Sequence, residues 1–167
     1  SVGHGITTLE DLENPAEVWA VMLELCQEIG HKLYACNKKA AGVSIIIRDN
    51  ELFSKEWQCK LKHCTQSPSV IAREAFELFL RSYKWERPIR TVTVRAINLL
   101  PEDQPEQLNV FLDIKKQEKL EALDRTIEAL RARYGSRIIR HAVLLDNPKM
   151  PQHERPELIM PSGVMGA

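Results

Sequence analysis

The chain has 167 residues, 44% of them hydrophobic, and its 23 basic and 23 acidic side chains cancel. That length suits one compact domain plus an appendage, and no apolar run approaches the roughly 18 residues that a membrane helix needs. The opening residues carry neither a basic n-region nor an apolar h-region and do not begin with Met, so a piece of a longer, cytoplasmic protein is expected.

The chain opens with "GITTL", read as a short strand. A helix follows: Asn14 suits the N-cap, Pro15 the first helical position, and Glu17 the answering position of a capping box. Val18, Met22, Leu25, Ile29 and Leu33 then recur at three- and four-residue spacing, which makes one apolar face. In "AGVSIIIRDNEL", Val43, Ile45 and Ile47 alternate with Ser44, Ile46 and Arg48, the pattern of a strand buried on one side. "EWQCKLKHCT" alternates likewise, Trp57, Cys59 and Leu61 against Gln58, Lys60 and Lys62. A second helix begins at Ser67-Pro68, with Ala72, Ala75, Phe76, Phe79, Leu80 and Tyr83 on its apolar face, and "PIRTVTVRAINL" is a β-branched strand.

The order is β-α-β-β-α-β. The expected fold is α+β, a four-stranded antiparallel sheet with two helices on one face. The other face stays open. Residues 1–103 form this domain, and 104–113 a proline-flanked linker. Residues 114–145 hold a third helix and a short strand. The helix is capped by Asp113, striped by Leu120, Leu123, Ile127, Leu130 and Tyr134, and ended by Gly135; the strand is "RIIRHAVLL". Residues 146–167 are a polar, proline-rich tail.

No phosphate-binding glycine loop, HExxH, GxSxG or catalytic carboxylate pair is present. Cys26, Cys36, Cys59 and Cys64 contain no CxxC pair; reduced thiols are expected, and no metal. The segment therefore reads as a binding module rather than an enzyme. Zero net charge still permits one basic face. Acids crowd on or just before the first helix (Glu10, Asp11, Glu13, Glu17, Glu24, Glu28), while the strands carry the cations. Ser44, Arg48, Lys60, Lys62 and Arg95 would present hydroxyl and cations together on the open side. Such a surface suits phosphate contact, which is electrostatic and indifferent to base sequence. A merely solvated face is the alternative. Exposed aromatics of the kind that stack RNA bases are missing from these strands. Arg90 alternates out of phase with Arg95 and needs a bulge to share its face.

In the linker, "QLNVF" places Leu108 and Phe111 three residues apart between polar flanks, with Gln107 at its head. It is either a hook for a partner's apolar cleft or a cover for its own domain's flank.

Taken in order, "SVGHGITTLEDL", "VMLELCQEIGHKLY", "VSIIIRD", "PIRTVTVRAINL", "QLNVF" and "LDRTIEALRARYGSRIIRHAVLL" resemble the C-terminal part of bacterial Y-family lesion-bypass DNA polymerases. This is the UmuC/DinB-type group, also called ImpB/MucB/SamB, and the resemblance covers about residues 1–145. It implies a little-finger domain that grips primer-template DNA by phosphate contacts in DNA repair and damage tolerance, as in the SOS response. Arg48, Arg90 and Arg95 stand at positions implied to contact DNA, and Thr91 and Thr93 depart from the basic residue and glycine common there. Gln107, Leu108, Val110 and Phe111 are implied to bind the sliding clamp (β subunit), with Val110 replacing the usual Leu. The catalytic palm and its Mg²⁺ are implied to lie outside this chain. The competing expectation is a βαββαβ regulatory or protein-interaction domain without nucleic-acid binding.

The resemblance predicts that Phe111→Ala costs about 2 kcal/mol of sliding-clamp binding, as loss of a buried anchor should. Calorimetric titration of the clamp checks this, and an unchanged Kd contradicts the hook.

Overall fold

A computed structural model describes residues 1–103, 114–135, 138–145 and 149. The elements are β1 (Val2–Leu12), α1 (Pro15–Ala35), β2 (Lys38–Asp49), β3 (Ser54–Thr65), α2 (Pro68–Ser82), β4 (Ile89–Pro101) and α3 (Ile114–Tyr134). All neighbouring strands are antiparallel, in the order β1-β4-β2-β3. The two crossovers interlock: β4 lies between β1 and β2, which α1 connects, and β2 lies between β3 and β4, which α2 connects. The expected α+β sheet with two helices on one face is therefore present.

Local chemistry fixes each helix. Asn14 accepts from the Glu17 amide at 3.0 Å, and the Glu17 carboxylate returns to the Glu13 amide at 2.8 Å. Pro15 and Pro68 occupy first-turn positions where no amide donor is needed. Val18, Met22, Leu25, Ile29 and Leu33 are all buried against the sheet, where Val43, Ile45, Ile47, Val92 and Val94 meet them. At Gly30 an added Cβ would fall 2.4 Å from the Pro68 ring, so glycine there permits the close approach of α1 and α2.

Two expectations change in this layer. On α2, Ile71 and Leu78 are buried while Leu80 is 53% exposed. The core-facing stripe runs through Ile71, Ala75 and Leu78, and Leu80 lies one position past Phe79, about 100° round the helix. The expected strand over "RIIRHAVLL" is not formed in the described part of that stretch. Residues Ala142–Leu144 make a 3-10 turn, which buries Leu144 in the core.

The C-terminal helix α3 covers α1 on the side away from the sheet, and polar contacts hold it. Ser67, the N-cap of α2, donates to Asp124, and His31 pairs with Glu128. Arg131 donates to Gln27 at 2.7 Å, and Arg125 to Glu102 at 2.6 Å. Of the expected stripe, Leu120, Ile127 and Leu130 are half-buried while Leu123 and Tyr134 are exposed. Gly135, at φ 101°, ends the helix as expected. Beyond it the chain returns to the opposite end of α1, where Lys149 lies 2.8 Å from Glu17 and its carbonyl accepts from the Leu9 amide. The Asp113 cap, the 104–113 linker and the tail beyond Lys149 lie outside the described residues.

Burial pushes the Asp124 carboxyl above its ordinary 3.8, against the opposing hydrogen bond from Ser67. The folded state therefore binds this proton more tightly than the unfolded chain, and stability falls as pH rises through that window. Asp124→Asn removes the titration. Its thermal midpoint should gain on the parent's as pH rises from below 3.8 and then hold level. A pH-independent difference contradicts a buried, charge-penalised carboxylate.

Candidate nucleic-acid interface

Strand pairing settles which side chains share the open face. Thr91 lies opposite Arg48, Thr93 opposite Ile46, Arg95 opposite Ser44 and Ile97 opposite Gly42. β3 adds Ser54, Glu56, Gln58 and Lys60 to the same four rows, and β1 adds Thr7, Gly5 and Gly3 to the first three. Directly paired residues point to one side of a sheet, and Val43, Ile45 and Ile47 point to the helices. The side bearing Arg48, Lys60 and Arg95 is therefore the one that carries no helix among the described residues. From Arg48 to the Gly42 row is six residues, about 20 Å along the strand, enough to follow several phosphates of one DNA strand.

Arg48 and Lys60 are exposed and form no ion pair among the described residues. Arg95 is half-exposed, with Nη1 3.8 Å from Glu56. Ser44 donates to the same carboxylate oxygen at 2.6 Å and is only 1% exposed. Its hydroxyl thus lies beneath Glu56 rather than at the surface.

The other two cations are drawn away from this group. Gly42 pairs with Lys60, so an unbroken register would set Ala40 opposite Lys62; Ala40 instead pairs with Thr65. Three extra β3 residues are accommodated there. Lys62, within the irregular stretch, reaches Glu74 of α2 at 3.5 Å. Arg90 does sit at a bulge, because Arg48 pairs with Thr91 and Asp49 with Ile89. Its guanidinium, however, donates to the Leu9 carbonyl and the Asp11 carboxylate, both at 3.3 Å. The structure brings Arg48, Lys60, Arg95 and the covered Ser44 onto one face and leaves Lys62 and Arg90 at its margins.

Sequence reasoning missed the β1 side. There Gly3, Gly5, Thr7, Thr91, Thr93 and Arg95 line an open trough of about 470 Å³. An added Cβ at Gly5 would lie 2.3 Å from the Thr93 hydroxyl, and one at Gly3 would lie 2.8 Å from Arg95 Cγ. The glycines let those two side chains lie across β1, and the Thr7 and Thr91 hydroxyls meet at 3.1 Å beside them. The signal was the alternation of Gly3, Gly5 and Thr7 along the first strand. A second hollow, about 700 Å³, lies at the other edge of the sheet among Phe53, Trp57, Tyr83, Asp49 and Arg87. Trp57 and Tyr83 belong to an aromatic cluster that continues through Phe79 and Trp85.

Among the described residues no group of three His, Cys, Asp or Glu side chains could hold a metal. All four cysteines are free, and burial pushes the Cys26 thiol far up. No helix is long and apolar enough to cross a membrane. The arrangement offers cations, hydroxyls and backbone to an extended anion.

Residues 1–110 match the model of the impB/mucB/samB family C-terminal domain. The chain is 35% identical over 147 residues to a DNA polymerase IV of Acetivibrio thermocellus, a match spanning 88% of this chain and 37% of that protein. It is 31% identical over 142 residues to a DNA polymerase IV of Clostridium acetobutylicum, spanning 84% and 35% of the two. The chain thus covers little more than a third of these relatives. A solved complex of beta-clamp processivity factor and little finger domain of PolIV shares the fold at TM-score 0.50 and 17% identity, over 66% of this chain and 98% of that one.

Proposed function

The chain belongs to the impB/mucB/samB C-terminal domain family, and from that premise we propose that it is the DNA-gripping, clamp-recruiting part of a cytoplasmic translesion DNA polymerase. Residues 1–103 hold duplex DNA at the helix-free face of the sheet. Residues 104–113 carry the clamp-binding peptide Gln107, Leu108, Val110 and Phe111, 114–145 form the C-terminal appendage, and 146–167 follow as a tail. Polymerisation itself, with its Mg²⁺, belongs to a palm outside this segment.

The observation that carries the reading is the gathering of Arg48, Lys60 and Arg95 on the one sheet face without helices, beside a glycine–threonine trough. The trough lets a sugar-phosphate backbone come close to the strand. The three cations span roughly the reach of several phosphates. Hydroxyls and amides complete the contacts without reading bases, which suits a polymerase whose template bases are altered. Lys62 and Arg90 are committed to Glu74 and Asp11 and contribute to DNA binding only if those pairs open.

Fluorescence anisotropy with a primer-template duplex tests this. Affinity should fall steeply as salt rises, and Arg48→Glu and Lys60→Glu should each weaken binding and flatten the slope of log K against log salt by about 1. Binding that ignores both salt and these reversals contradicts the proposed face.

A further inference from the structure

We infer that Glu56 is an internal stand-in for phosphate, which occupies Ser44 and Arg95 in the free domain and must swing aside for DNA to use them. The inference rests on the DNA-binding reading above and adds a regulating residue to it.

Glu56 is an acid in the middle of the cationic face. It lies opposite Ile46, on the row next to Ser44 and Gln58. One oxygen, Oε1, receives the Ser44 hydroxyl at 2.6 Å and lies 3.8 Å from Arg95 Nη1. A hydroxyl that donates to an anionic oxygen, with a guanidinium at ion-pair distance from it, is a setting that a phosphate oxygen would also take. Ser44 is 1% exposed, between its cross-strand neighbours Arg95 and Gln58 and under the Glu56 carboxylate. Ser44 and Arg95 are the partners of Glu56 among the described residues; its side chain is 51% exposed, and β3 is an edge strand. An exposed pair of this kind is weak and readily exchanged. Displacement therefore needs no backbone movement, only rotation of one side chain into water.

The consequence is competition. In the free protein the carboxylate satisfies Ser44 and holds Arg95 near its own charge. On binding, a phosphate replaces it and gains both donors, while the loss of the internal pair is subtracted from affinity. A grip weakened in this way favours release of DNA at moderate salt.

The experiment compares the whole chain with Glu56→Gln and Glu56→Ala in duplex-DNA anisotropy, alone and in a Ser44→Ala/Arg95→Gln background, with thermal melts confirming that each variant is folded. Both single variants should bind on the order of fivefold more tightly than the parent at low salt. That gain should vanish in the doubly substituted background, because the donors Glu56 occupies are gone. An unchanged affinity overturns the inference. So does a gain that persists in full in that background, which would mark plain charge repulsion. Failure of the DNA reading is separate: there neither the parent nor any variant binds in a salt-dependent way, and Arg48→Glu has no effect.

Discussion

Two helices cover one side of a four-stranded sheet, and the rest of the structure follows from that single constraint. Side chains alternate across the pleat, so burying Val43, Ile45 and Ile47 under α1 and α2 drives Ser44, Ile46 and Arg48 to the other side. Val92 and Val94 do the same for Thr91, Thr93 and Arg95. A one-residue slip in β2, β3 or β4 would put cations into the core, so the apolar pattern that stabilises the domain also aligns its polar face. The third helix packs on the outer side of α1 and leaves that face uncovered.

The strand ends also relate the two proposed partners. The described residues stop at Asp103, beside Glu102, which meets Asn37 and Arg125, and resume at Ile114. The proposed clamp peptide is rooted there, at the end of the sheet where β2 begins and β4 finishes. Arg48 lies toward the opposite end of β2, while Lys60, on the Gly42 row, lies nearer to this one.

Much of this was legible in the sequence, for physical reasons. Period-two alternation is a direct imprint of a half-buried strand, and Asn14, Pro15, Ser67 and Pro68 announce helix starts through the amides they satisfy or lack. Bulges leave no such imprint. Three extra residues in β3 turned Lys62 toward Glu74, and Arg90 at its own bulge found Asp11. Counting cations also hid their counter-ion. Glu56 shares its alternation with Gln58 and Lys60, so its place on the face could have been read, but its grip on Ser44 depends on strand pairing. The expected final strand failed because Leu144 is buried by one tight turn. "QLNVF" falls outside the described residues and rests on its family pattern.

The central claim is that DNA meets the helix-free face, and amide chemical-shift mapping with a titrated primer-template duplex tests it residue by residue. Shifts should concentrate at Gly3, Gly5, Ser44, Arg48, Thr93 and Arg95 and leave the amides of α3 and the outer side of α1 in place. Shifts confined to α3 and α1, with the sheet amides silent, would contradict it.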